Sequence, residues 1–190
     1  MRAALLVVDI QNDFCVGGVL PACETDSLIK PVNAFVAQCA SKGIHLIFTR
    51  DWHPANHTSF VNYGGPWPTH CVQGTDGAAF VSNLRVPADA EIVDKGFKPD
   101  SIGYSDFENT SLHHTLQAWG VVDVGVCGIA TEYCVLANVE DALTRGYVVT
   151  VLSDLIRPIE EQAGDSEAAM EKMRRSGAYL RTSSEWLDRV

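Results

Sequence analysis

The chain has no run of about 18 apolar residues, so no segment reads as a membrane span. It has no paired cysteine spacing such as Cys-x-x-Cys, which argues against a disulfide framework or a redox motif. Basic residues are scarce: 14 Lys and Arg against 24 Asp and Glu leave a net charge of −10. No Lys/Arg stripe offsets that charge, so a nucleic-acid partner is not expected. The N-terminal run Ala3 to Val8 is too short for a signal peptide and leads into acidic residues, which points to a cytoplasmic protein. Internal repeats, low-complexity tracts and linkers are missing too. With 190 residues, 46% of them hydrophobic, the composition fits one sizeable domain, taken as residues 1–190. No feature fixes the oligomeric state, and a homo-oligomer stays open.

Short apolar runs suggest strands at Ala3–Val8, Ile44–Phe48, Glu91–Val93, Val121–Cys127 and Tyr147–Leu152. Helical patterns over Leu28–Ser41, Asn109–Trp119 and Thr131–Arg145 each end just before a glycine, the residue that closes a helix in the left-handed conformation. Glu160–Arg175 reads as an exposed helix of mixed charge. Helices alternating with uniformly apolar strands predict an α/β fold: three layers, α/β/α, around a mainly parallel central sheet. Residues 51–87 break the rhythm. They are rich in Pro, Gly, Asn, Trp and His, and a loop of that length is usually functional.

In a parallel sheet, ligands bind along the carboxyl edge. Asp9 follows the first strand, Asp51 and His53 the second, Lys95 the third, and the Gly128–Cys134 turn the fourth. Cys134 falls in the first turn of a helix that Thr131 could cap, where the dipole favours a thiolate. Cys134 can then attack a carbonyl carbon, with Asp9 taking the thiol proton and passing it to a leaving amine. Lys95 would favour both anions by charge and hold Asp9. Backbone N–H groups of the turn would stabilise an oxyanion. Asp51, His53, His57, Ser59 and His70 form a second cluster, whose imidazole and carboxylate groups suit Zn²⁺, Fe²⁺ or Mn²⁺.

The ordered segments ALLVVDIQNDF (ending at Phe14), TRDWHPANHTSF (from Thr49), WPTHCVQGTDGA (from Trp67), DKG (Asp94–Gly96) and GIATEYCVLANVEDA (from Gly128) make the chain resemble the nicotinamidases and pyrazinamidases of the isochorismatase-like cysteine hydrolases. The first and last segments mark the superfamily, and the two His-containing blocks mark the branch. The resemblance spans nearly the whole chain. It implies a catalytic triad of Asp9, Lys95 and Cys134. It also implies metal ligands Asp51, His53 and His70, with Ser59 favoured over His57 for a further position. Phe14 and Trp67 would sandwich a pyridine ring. A cis peptide at Ile129–Ala130 would aim the Ala130 N–H, with that of Cys134, at the oxyanion. The implied cofactor is one divalent ion, zinc first, with iron or manganese as alternatives. The implied reaction is hydrolysis of nicotinamide to nicotinate and ammonia through a Cys134 thioester, in NAD salvage, with pyrazinamide also accepted. Lys98 competes with Lys95 by position, and the strand-then-Lys-Gly pattern favours Lys95. Glu132 and Tyr133 receive no chemistry. Rival readings are another amidase of the superfamily, a hydrolase whose metal activates water, and a redox or binding module.

Overall fold

The computed structural model describes residues 2–190. The strands are β1 (Ala3–Val8), β2 (His45–Asp51), β3 (Glu91–Lys95), β4 (Asp123–Ile129), β5 (Val148–Arg157) and β6 (Tyr179–Arg181). The helices are α1 (Thr25–Ser41), α2 (Leu112–Ala118), α3 (Leu136–Thr144), α4 (Asp165–Arg175) and α5 (Ser183–Leu187). The six strands form one sheet in the order β3-β2-β1-β4-β5-β6. Every pairing between these strands is parallel, so each carboxyl end lies on the same edge.

β1 shows why its run is apolar throughout. Ala3, Leu5 and Val7 pack with Leu28, Phe35 and Trp186 on the face covered by α1 and α5. Ala4, Leu6 and Val8 point the other way, to Leu112, Val139 and Met173 of α2, α3 and α4. Successive side chains alternate between faces, and both faces are covered. The strand order reverses between β1 and β4. That leaves a crevice outside their carboxyl ends, where neither crossover helix covers the edge.

Several boundaries differ from those read off the sequence. β2 runs on to Asp51 and β3 to Lys95, so these two side chains stand on the last residues of strands rather than beyond them. β4 extends to Ile129, and Gly128 belongs to the strand instead of breaking it. Here only glycine fits: its φ is +113°, and a Cβ would lie 2.1 Å from the Val8 carbonyl oxygen on β1. The β4–β5 register also shifts between Val126 and Gly128, an irregularity of the kind that sits beside active sites. β6 and α5 carry no counterpart among the expected elements. α5 and the residues after it dock on the buried Asp123, through Trp186 Nε1 at 2.7 Å and an Arg189 guanidinium nitrogen at 2.6 Å.

Candidate active site

Asp9 follows β1 with φ +50°, a left-handed conformation that Asp tolerates better than most residues. The turn sends the chain on to Gln11 and leaves the carboxylate fully buried at the edge. Thr49 Oγ1 donates to Asp9 Oδ1 at 2.6 Å. Lys95 reaches in from β3, also fully buried, with Nζ 2.8 Å from Asp9 Oδ2. The same ammonium pairs with Asp51 Oδ1, donates to the Gly103 carbonyl at 3.0 Å, and lies 3.4 Å from Cys134 Sγ. Lys98 points elsewhere, donating to Asn109 Oδ1 on the surface.

Cys134 enters differently from the sequence expectation. Thr131 does not cap a helix. The chain first makes a π-helical turn, Thr131–Val135, with Ala130 at its cap position and no side-chain capping bond. Thr131 Oγ1 has no hydrogen-bond partner. The wide turn sets Cys134 on its fourth residue, facing the edge. Burial pushes the Cys134 thiol well above its ordinary value, and Lys95 opposes that rise. Burial thus works against the thiolate that a helix terminus would favour, and a neighbouring base is needed to offset it. Asp9 is that neighbour: its carboxylate, the Asp51 carboxylate and Cys134 Sγ offer atoms within 4.8 Å of one another. Burial raises the Asp9 carboxyl, with Lys95 again opposing, so it is a stronger base than an exposed aspartate. The Ile129–Ala130 peptide is cis, and Ala130 lines the cavity beside Cys134.

The irregular segment between β2 and β3 folds back on itself through isolated bridges, not through regular elements. His53 N–H donates to the Cys71 carbonyl and Gln73 N–H to the His53 carbonyl, both at 2.9 Å, which brings His70 alongside His53. Their ring centroids are 5.0 Å apart. His53 Nδ1 bonds the Gly96 carbonyl at 2.9 Å and His70 Nδ1 the Pro68 carbonyl at 2.8 Å. A carbonyl only accepts, so each Nδ1 is the donor of its bond, which leaves Nε2 as the nitrogen turned toward a metal. Both Nε2 atoms face Asp51 Oδ2, at 3.4 and 3.8 Å. Asp51, His53 and His70 together offer three donor atoms within 4.8 Å, all buried. Two imidazoles and a carboxylate, with their outer nitrogens already bonded, fit a divalent transition ion. Burial alone would raise Asp51, but Lys95 and then His53 overcome it and hold the carboxyl well below its ordinary range. His57 stands outside this group: its Nδ1 bonds Ser59 Oγ at 2.7 Å, and its ring stacks on His53. Burial and the neighbouring His53 lower its pKa to about 4. Ser59 lines the cavity.

Both clusters open into one cavity, which Phe14, Trp67, Ile102, Tyr104 and Tyr133 give largely apolar walls. Trp67 Nε1 donates to Tyr104 Oη at 2.8 Å, and Tyr133 meets the Trp67 ring edge-on with centroids 5.0 Å apart.

Several supporting residues escaped the sequence reading. Gln11 clamps the Asp51 main chain, accepting its N–H and donating to its carbonyl, each at 2.8 Å. Gly96 lets His53 pack close, since a Cβ there would lie 2.4 Å from His53 Cε1. Tyr133, given no chemistry, is a cavity wall, and Glu132 Oε1 accepts the Ile159 and Glu160 N–H groups. Gln11 and Gly96 lay inside quoted segments and could have been flagged. Tyr133 lay in one as well, but was given no chemistry, and Tyr104 had no local pattern to mark it.

The isochorismatase domain family matches residues 3–185. The nicotinamidase of Escherichia coli is 39% identical over 96% of the chain and 96% of its own length. The nicotinamidase/pyrazinamidase of Mycobacterium tuberculosis is 38% identical over 95% and 99%. Among solved structures, the pyrazinamidase of Pyrococcus horikoshii in complex with zinc superposes with a TM-score of 0.91, at 46% identity, covering 96% of this chain and 99% of that one.

Proposed function

Because the chain belongs to the isochorismatase domain family, and within it to the nicotinamidases and pyrazinamidases, we propose that it hydrolyses nicotinamide to nicotinate and ammonia by covalent catalysis at Cys134. One observation carries this reading. A single buried ammonium, Lys95, touches Asp9, Cys134 and Asp51, so nucleophile, base and candidate metal ligand share one electrostatic unit.

Asp9 takes the Cys134 proton as Sγ attacks the carboxamide carbon. The Ala130 and Cys134 N–H groups stabilise the resulting oxyanion. Asp9 returns the proton to the departing nitrogen, ammonia leaves, and a nicotinoyl thioester stays on Cys134. Asp9 then deprotonates a water that attacks the thioester carbon. The C–S bond breaks, the proton returns to sulfur, and nicotinate departs. Burial works against the Lys95 charge, but Asp51 and Asp9 overcome it and hold its pKa well above the ordinary value, which favours the ammonium. Phe14 and Trp67 grip the pyridine ring. Asp51, His53 and His70 would hold a divalent ion, which would supply Lewis-acid attraction for the ring nitrogen and help orient the amide toward Cys134. Zinc is the ion proposed, with iron and manganese as alternatives and Ser59 ahead of His57 as a further ligand. Pyrazinamide, of the same size, is a second substrate. The physiological setting is NAD salvage in the cytoplasm. Among the described residues no helix is long and apolar enough to cross a membrane.

The test is ammonia release from nicotinamide by zinc-loaded protein, followed across pH. Activity is expected to fall on the acid side at a pH above the ordinary carboxylate range of about 4, because protonated Asp9 cannot accept the thiol proton. No ammonia from the metal-loaded protein would overturn the assignment. Full activity after exhaustive chelation would overturn only the role given to the ion.

A further inference from the structure

Residues 158–164 join β5 to α4, and the hydrolysis above gives them no part. Ile159 nevertheless lines the cavity. With Leu20 and Tyr133 it packs against the core cluster that contains Phe14 and Ala130. The segment has no helix or strand of its own, and Glu160 takes a left-handed φ of +59°. Its position comes from bonds made by other parts of the chain. Glu132 Oε1 accepts two successive N–H groups, from Ile159 at 2.8 Å and from Glu160 at 2.7 Å. Tyr133 Oη donates to Glu161 Oε2 at 2.6 Å. Cys23 N–H donates to the Pro158 carbonyl at 2.7 Å. Glu132 and Tyr133 both stand on the π-helical turn that carries Cys134. Hydrogen bonds to a carboxylate are the stronger kind, and two N–H groups on one oxygen fix the peptide between them. The wall at Ile159 is thus tied to the nucleophile's own turn.

The substrate pose leaves one ring edge for this wall. With the ring nitrogen toward Asp51, His53 and His70 and the carboxamide at Cys134, ring carbon 2 lies between the two clusters. Carbons 4, 5 and 6 form the opposite edge, and Phe14 and Trp67 take the faces. The aliphatic side chains lining the cavity are Leu20, Ile102 and Ile159, and none belongs to either cluster. Ile102 is 69% exposed, so it stands at the rim. The Leu20 N–H makes a single main-chain bond, to the Asp13 carbonyl. Ile159 is half-buried, stiff at χ1 because it is β-branched, and sits on the segment with the most anchors. A packed apolar wall of this kind yields little to a larger group.

We propose that Ile159 sets the size limit at ring carbon 5, and that Glu132 is the positioning residue that holds Ile159 in place. The substrate class is then a pyridine-3-carboxamide with nothing bulky at that carbon. This limit rests on the nicotinamide hydrolysis proposed above.

The experiment compares nicotinamide with 5-isopropylnicotinamide on zinc-loaded full-length protein and its Ile159→Ala, Glu132→Ala and Glu132→Gln variants. The reading is the ratio of kcat/KM, bulky amide over nicotinamide, in which any general loss of active enzyme cancels. Ile159→Ala is expected to raise this ratio about 10-fold or more, the scale of one or two methylenes in an apolar pocket. Glu132→Ala frees the wall and is expected to raise it in the same direction. Glu132→Gln keeps an acceptor oxygen and is expected to stay near the parental ratio. Hydrogen exchange gives a readout without turnover. The Ile159 and Glu160 amides should be protected in the parent and in Glu132→Gln, and exchange faster in Glu132→Ala. An unchanged ratio in Ile159→Ala overturns the size limit. A parental ratio in Glu132→Ala, or equal ratios in Glu132→Gln and Glu132→Ala, overturns the part given to Glu132. If the parent releases no ammonia from nicotinamide, the hydrolysis fails on its own account. Calorimetric binding of nicotinate and 5-isopropylnicotinate to the same proteins then supplies the ratio, and the same outcomes decide.

Discussion

The cavity has two walls of different construction. One is the sheet edge: Asp9, Thr49, Asp51 and Lys95 stand at or next to the ends of strands whose register is fixed by parallel pairing, and Lys95 lies directly opposite Asp51. The other is the segment between β2 and β3, which presents His53 and His70 with only isolated bridges and a short 3₁₀ turn for regular structure. The edge needs no special device to place its charges, because the sheet does so. The loop places its histidines by single bonds from ring nitrogens to main-chain carbonyls. On the proposed reading, chemistry sits with the sheet edge, and selection of a ring-bearing amide with the wall that depends on many small contacts.

The sharpest way to break this division is at the nucleophile. Cys134→Ala is expected to abolish nicotinamide hydrolysis, by about 10⁴-fold or more in kcat, while zinc content and thermal unfolding stay as in the parent. If the loop's ion instead activated water, most turnover would survive, and the two walls would have exchanged roles. The next largest effect lies on the other wall. His70→Ala removes one of three candidate donors, and retention of metal should weaken by at least about 100-fold, read by elemental analysis after dialysis. Alkylation of Cys134 by iodoacetamide should keep its parental rate, because Lys95 and Asp9 remain. A parallel collapse of thiol reactivity would show that the walls are not separable.

The same contrast decides what the sequence made legible. The β1, β2 and β3 runs announced themselves as short apolar stretches, and the residues following them were readable as an edge from strand polarity alone. The strand limits were less readable. Asp51 and Lys95 are polar residues inside strands because they pair with each other across β2 and β3, and charge at a strand end looks like loop from composition. Gly128 looked like a breaker because its contact with Val8, which requires glycine, is non-local. The turn at Cys134 was misjudged for a related reason. The apolar residues that repeat at helical spacing, Leu136, Val139 and Leu143, lie in α3 beyond the π-helical turn, so they revealed neither the missing cap bond at Thr131 nor the burial that raises the thiol. β6 and α5 did leave a local signal: Thr182 and Glu185 have capping-box spacing, and the structure forms that box. Tyr104 left none, since a wall residue from a loop is defined only by what the fold brings opposite it.

The smallest effect sharpens the comparison where the loop wall meets the turn before α2. Trp67 Nε1 donates to Tyr104 Oη, and both rings border the cavity. Tyr104→Phe keeps the ring and removes the acceptor, leaving a largely buried indole N–H unpaired. That costs about 1–3 kcal/mol of local order. Because Trp67 is assigned to grip the substrate ring and not to its chemistry, the loss should fall on binding. KM for nicotinamide is expected to rise several-fold, kcat to hold, and the iodoacetamide reaction of Cys134 to stay unchanged. A fall in kcat at constant KM would mean that the aromatic wall also aligns the carboxamide for attack. The division between a wall that selects and an edge that reacts would then fail at the residue where it is most finely drawn.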